Sequence, residues 1–213
     1  IQLLDAAAQT YPTESAPLRL KAETLGYARR FDESIALFDQ ILTAQPNDTD
    51  AMIGRARVYS YSNRLPEAET FYRQILIKEP ENYTALVELA DVLGRRAKFG
   101  DSIAVYQDAI EANPTDLQTR VNLAKVQRYS LDTTAAETTL NAVLAEDARF
   151  TPALVERGIL RGTLGNYAAG LADLNAALAV SPTDLNAQIG LAEVQSYAGQ
   201  YEQSIAGYRA ALL

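Results

Sequence analysis

Tyr27, Tyr61, Tyr129 and Tyr197 stand at multiples of 34 residues from one another, with Arg95 and Thr163 at the two intervening stations. A tyrosine is a rigid apolar ring with one hydroxyl, able to grip a partner at small entropic cost. A column of them serves equally well to pack one structural unit on the next. Four residues upstream runs a second column, Glu23, Arg57, Asp91, Lys125, Ile159 and Glu193, whose sign alternates along its first four stations. Charges one station apart can pair with each other, each exposed pair adding ~0–1 kcal/mol. Alternatively Arg57, Arg95, Lys125 and Arg128 gather to receive an acidic group, the guanidiniums offering bidentate hydrogen bonds. The first is structural and the second is a chemistry of recognition.

Bond-making chemistry has little to draw on. With no histidine and no cysteine, the commonest general base and the strongest nucleophile are both missing. There is no Gly-rich phosphate loop and no Gly-x-Ser-x-Gly elbow. The carboxylates are spread by the 34-residue interval instead of being gathered. The expectation is a non-enzymatic chain with no cofactor, no metal and no disulfide.

Composition narrows the partner. Hydrophobic residues make up 48% and charged ones 22%, as in a folded protein. A net charge of −8 repels phosphates, which argues against nucleic acid. Arg29-Arg30 and Arg95-Arg96 read as solvated helix ends. No apolar run is long enough to cross a membrane, and no basic-plus-apolar leader is present in the chain as given. It opens on Ile1 and both ends fall inside expected helices, so it reads as a piece of a longer protein, soluble in the cytoplasm or the periplasm.

What positions the two columns is a repeat. Proline returns at Pro12, Pro46, Pro80, Pro114 and Pro182, with Ala148 in the one missing place. Setting that station as position 32 divides the chain into repeats 15–48, 49–82, 83–116, 117–150 and 151–184, a partial repeat 185–213, and residues 1–14 as the remnant second helix of a preceding repeat. Position 8 is small throughout (Ala22, Ala56, Ala90, Ala124, Gly158, Ala192), and so is position 20 (Ser34, Ala68, Ser102, Ala136, Gly170, Ser204). Position 24 is large (Phe38, Tyr72, Tyr106, Leu140, Leu174, Tyr208). Two antiparallel helices need this pattern: small residues where backbones approach, large ones to fill the space beside them. Asp48, Asn82, Asp116 and Asp184 follow the prolines as caps, while Gly165 and Gly199 mark turns within pairs.

These columns resemble the tetratricopeptide repeat, a 34-residue helix–turn–helix unit. The resemblance covers essentially the whole chain and implies an all-α, right-handed α-solenoid of antiparallel helix pairs, with first helices near positions 2–14 and second helices near 18–30. It departs from the family in lacking tryptophan at position 4, and in placing Ile41, Ile75 and Val143 where alanine is usual. Repeat 117–150, with its Thr-rich second helix and no proline, is expected to be the softest.

In that family positions 2, 5, 9, 12 and 13 line the concave surface. The resemblance therefore implies partner-binding residues Arg57, Tyr61, Asp91, Arg95, Lys125, Arg128 and Tyr129, with Tyr27 and Tyr197. These five columns carry +1 and the rest of the chain −9, which assigns the acidity to the outer surfaces. Family members that clamp the acidic tails of chaperones use basic and amide residues at stations occupied here by Arg19, Glu23, Gly54, Thr84 and Glu88, so that use is excluded.

Two readings remain. One is an adaptor or assembly scaffold that takes a peptide or protein segment in its groove. The other is a structural scaffold that self-associates through uncapped terminal faces containing Leu3, Leu4, Ile205 and Leu212. Runs 56–68 and 192–201 are similar to repeats preceding outer-membrane barrels in bacterial polysaccharide-export proteins, which would make the second reading a periplasmic segment of an envelope protein.

Overall fold

The computed structural model describes residues 15–212. Residues 1–14, including the expected helix remnant with Leu3 and Leu4, lie outside them. Among the described residues there are twelve helices and no strand. The first helices of the repeats are α1 (Ser15–Tyr27), α3 (Thr49–Tyr61), α5 (Tyr83–Arg95), α7 (Leu117–Tyr129), α9 (Thr151–Thr163) and α11 (Leu185–Tyr197). The second helices are α2 (Phe31–Ala44), α4 (Leu65–Lys78), α6 (Phe99–Ala112), α8 (Thr133–Glu146), α10 (Tyr167–Val180) and α12 (Tyr201–Ala211). None is long and apolar enough to cross a membrane.

Each pair is closed by one turn geometry. The residue two past the first helix adopts positive φ, and the next N–H reaches back five residues, as Arg30 to the Leu25 carbonyl (2.9 Å) and Gln200 to Gln195 (2.8 Å). This is the Schellman closure, for which glycine is the easy choice. Gly165 and Gly199 supply it, but the same station holds Arg29, Asn63, Ala97 and Leu131, also left-handed. The hydrogen bonds impose a conformation that L side chains tolerate at a cost of about 1–2 kcal/mol.

Between repeats, the expected caps close the first helices. Asp48, Asn82, Asp116 and Asp184 each accept a backbone N–H of the helix that follows, at 2.8–3.0 Å. At the junction lacking proline the cap station is Phe150, which has no side-chain cap bond and packs on the core instead. The Thr-rich α8 is capped by Asp132, whose carboxylate accepts from the Ala135 N–H at 3.0 Å.

The described residues form two compact units that divide between Asn113 and Pro114. In the first, α1 to α6 pack as pairs, and α1, α3 and α5 touch one another in a row. Ser34 and Ser102, at position 20, donate to the position-8 carbonyls of Ala22 and Ala90 at 2.6 and 2.7 Å. The tip of the Phe38 ring presses against Gly54, where an added Cβ would stand 2.4 Å from Cζ. In the second unit α7, α9 and α11 form the corresponding row. One of its close crossings is a pair of glycines: a Cβ on Gly170 would meet the Gly158 carbonyl at 2.7 Å. Buried Asp173 is held by Arg157 through two bonds of 2.7 and 2.9 Å and by Arg161 at 3.0 Å, which ties α9 to α10.

Candidate functional site

The position-9 charges reach beyond their own column. Arg57 spans to Glu88, at position 6 of the next repeat, with Nε at 3.0 Å from Oε1 and a second, closer contact through its terminal nitrogen. The Tyr72 hydroxyl donates to the other oxygen of the same carboxylate. Burial works to lower the pKa of Arg57, but the hydrogen bonds and charge of Glu88 outweigh it and hold that pKa above its ordinary value. Burial first, then the facing carboxylate, push the Tyr72 hydroxyl well above the usual tyrosine range. This is a closed set: one cation, one anion and one hydroxyl that satisfy each other.

The other first-unit candidates are similarly engaged. Tyr27 and Tyr61 lie side by side, ring centroids 6.1 Å apart and tilted by 37°, each keeping about half or more of its surface exposed. This pair packs repeat on repeat while leaving both rings partly exposed to solvent. Partial burial raises the pKa of Tyr61. Arg95 folds back onto the preceding repeat, donating to Ser60 Oγ at 2.7 Å and to the Ser60 carbonyl at 3.2 Å. Asp91 accepts the hydroxyl of Tyr106.

In the second unit the same columns leave an open groove. The row α7, α9, α11 encloses a cavity of about 560 Å³. Val155 and Ile159 of α9 and Ile189 of α11 give it an apolar floor, and Ile189 is 40% exposed. Lys125, Arg128 and Tyr129 stand on the α7 side and Glu193 on the α11 side. Glu156, at position 6 in the middle, receives Arg128 at 3.1 Å and Lys125 at only 3.9 Å, leaving the Lys125 side chain 48% exposed. Arg128 also lies over the Tyr129 ring, 4.6 Å from its centroid. Tyr197 is not among the lining residues; its hydroxyl donates to Glu193 at 2.5 Å, which raises its pKa.

The structure therefore brings Lys125, Arg128 and Tyr129 together around one cavity and commits Arg57 and Arg95 to neighbours. The sequence reading used Glu88 only to exclude the chaperone clamp and missed Glu156, because position 6 was outside the five columns considered. The available signal was that column 6 holds only these two charges among Leu20, Gly54, Asn122 and Gly190. Counting them changes the inner columns from +1 to −1, so the acidity is not confined to the outside. Among the described residues no group of three acidic side chains could hold a metal ion.

A model of the tetratricopeptide repeat family matches residues 27–90. No curated protein matches the chain in sequence. Among solved structures, a tetratricopeptide repeat protein from Parabacteroides merdae is similar with a TM-score of 0.84 at 18% identity, over 98% of this chain and 82% of its own. PilW, a widely conserved type IV pilus biogenesis factor, is similar with a TM-score of 0.76 at 18% identity, over 91% of this chain and 90% of its own. YrrB, a repeat protein with an unusual peptide-binding site, gives a TM-score of 0.57 at 18% identity, over 82% of this chain and 90% of its own. At such identities the likeness concerns the fold.

Proposed function

Because the chain is a tetratricopeptide-repeat helical domain, we propose that it is a non-enzymatic protein-interaction scaffold whose second unit receives a segment of a partner protein between α7, α9 and α11. The observation that carries this reading is the 560 Å³ groove, with an aliphatic floor and charged walls of both signs. Recognition sites commonly combine apolar area with a few placed polar groups. The peptide-binding site of YrrB, a protein of the same fold, supports a segment as ligand. The direct test is affinity capture from cells that make the protein, comparing the unaltered chain with one carrying Tyr129→Ala and Ile189→Asp. A protein retained by the first and lost by the second, with unchanged circular dichroism, supports the reading. Identical captures overturn it.

One observation favours a second reading, self-association. Tyr208 on α12 is 40% exposed, whereas Phe38, Tyr72, Tyr106, Leu140 and Leu174 at the same station are at most 1% exposed. Ile205 beside it is exposed as well. A second copy covering this face would give concentration-dependent sedimentation that Ile205→Glu abolishes; monomers at all concentrations exclude it.

A further inference from the structure

The walls of the second-unit groove differ in sign. Lys125 on α7 is half-exposed and meets Glu156 only at 3.9 Å, so its ammonium keeps donors to spare. Glu193 on α11 spends one oxygen on the Tyr197 hydroxyl and retains acceptor capacity on the other. Between them Ile159 and exposed Ile189 offer aliphatic surface. Glu156 already neutralises Arg128 at 3.1 Å, which leaves Lys125 as the cation available to a visitor.

Resting on the groove reading above, we propose that the occupant is an extended segment carrying an acidic side chain over α7, an aliphatic side chain at α9–α11, and a basic side chain over α11. Charge complementarity selects the two ends and the floor selects the middle. The spacing follows from packing geometry. Neighbouring helices lie about 8–10 Å apart, so α7 to α11 is roughly 20 Å, which an extended chain crosses in about six residues at ~3.3 Å each. A segment with like charges at both ends would set one of them against a wall of its own sign.

Glu156 tunes this selection from inside. Its carboxylate stands between Arg128 and Lys125 and competes with an incoming acid for Lys125. Replacing it with glutamine frees both cations toward the visitor, so E156Q binds an acid-bearing segment more tightly than the unaltered chain does.

The test uses four peptides with blocked termini: Asp-Ser-Ser-Leu-Ser-Ser-Lys, its reverse, and the versions with Asp at both ends or Lys at both ends. Fluorescence anisotropy of labelled peptide against the unaltered chain should show one of the two mixed-charge peptides binding about two- to fivefold tighter than either like-charged one, the scale expected of one exposed charge contact. Lys125→Glu should move the preference to the dibasic peptide, and Glu193→Lys to the diacidic one. Should Lys125→Glu unfold on melting, Lys125→Gln serves instead, erasing the advantage of the mixed peptide over the dibasic one. If all four peptides bind alike and Ile189→Asp abolishes binding, the groove reading stands and the charge assignment is overturned. Binding indifferent to Ile189→Asp overturns both. No binding at millimolar peptide overturns the charge assignment. A dimer in sedimentation that Ile189→Asp dissolves gives the groove to a second copy, and overturns it as well.

Discussion

The inner columns of the two units are built from one plan and put to different use. In the first unit Arg57 reaches Glu88 and Tyr72, and Arg95 reaches back to Ser60. In the second, the residue equivalent to Arg57 is Lys125, which approaches Glu156 only at 3.9 Å, and the residue equivalent to Tyr72 is Leu140. A planar guanidinium locks onto a carboxylate through two bonds, whereas an ammonium makes a point contact. Replacing arginine by lysine, and tyrosine by leucine, therefore removes the groups that satisfy each other across the inner face. On the proposed reading, recognition capacity in a repeat array lies where repeats leave their polar groups incompletely paired.

The sharpest way to break this contrast is at position 6. Glu88→Ala strands the partly buried Arg57 and the buried Tyr72 hydroxyl, and is expected to cost the first unit about 3 kcal/mol, in line with removal of one partner from a buried pair. Glu156→Ala lets Lys125 turn to water but strands Arg128, whose side chain is 18% exposed; because Arg128 still lies over Tyr129 and no buried hydroxyl is stranded with it, about 2 kcal/mol is expected. Urea unfolding of both variants checks the order; equal losses would contradict the distinction drawn between the units.

The next largest effect is at the helix crossings. Gly170→Ala gains about 1 kcal/mol of helix propensity, yet drives a methyl group against the Gly158 carbonyl, a backbone atom that cannot rotate away. Overpacking costs ~1–3 kcal/mol, so a net loss of up to about 2 kcal/mol is expected in the second unit. At the corresponding station of the first unit, Ser102→Ala removes only a buried hydroxyl bond to the Ala90 carbonyl and should cost about 1 kcal/mol. Thermal melts of the two variants compare them.

Alkali should then separate the units. Tyr72 has a pKa raised by burial and by Glu88. A raised pKa in the fold means that the neutral hydroxyl contributes stability that is complete below pH ~10, the ordinary tyrosine value, and is lost as pH rises above it. The second unit holds Leu140 and Leu174 at this station, and its third member there, Tyr208, is 40% exposed. Hydrogen exchange at pH 9 to 11 should show the first unit opening before the second, and Tyr72→Phe should narrow the difference, with buried Tyr106 still in place. At the acid end, Glu69 works in the opposite sense. Burial would raise its pKa, but Lys98 and Arg73 lower it, so its contribution holds above the ordinary carboxylate range and declines as pH falls below it.

The smallest effect is at the turns. Leu131 is exposed and left-handed, so Leu131→Gly should raise stability by about 0.5–1 kcal/mol once the greater freedom of glycine in the unfolded chain is allowed for. Gly165→Leu should lower it comparably.

That position also marks the limit of what was legible in the sequence. The 34-residue register places every described helix to within about a residue, because prolines and Asp or Asn caps punctuate it. It flags the left-handed turns only at Gly165 and Gly199, since nothing in the identities of Arg29, Ala97 or Leu131 announces positive φ; that is set by the backbone bonds of the closure. Tyr72 and Tyr106 were legible as core by size, but not the carboxylates their hydroxyls would find. The partners of Arg57 and Lys125 were hidden because side chains reach diagonally, from position 9 of one repeat to position 6 of the next.

The central claim is that the second unit's inner face, and not the first's, receives a protein segment. Methyl NMR measures this directly. The mixed-charge peptide that binds, titrated into protein labelled at isoleucine and valine, should shift Val155, Ile159 and Ile189 saturably while Ile53 and Val87, at the equivalent of Val155 in the first unit, stay still. Saturable shifts centred on Ile53 and Val87, with Ile159 and Ile189 unmoved, would contradict the account.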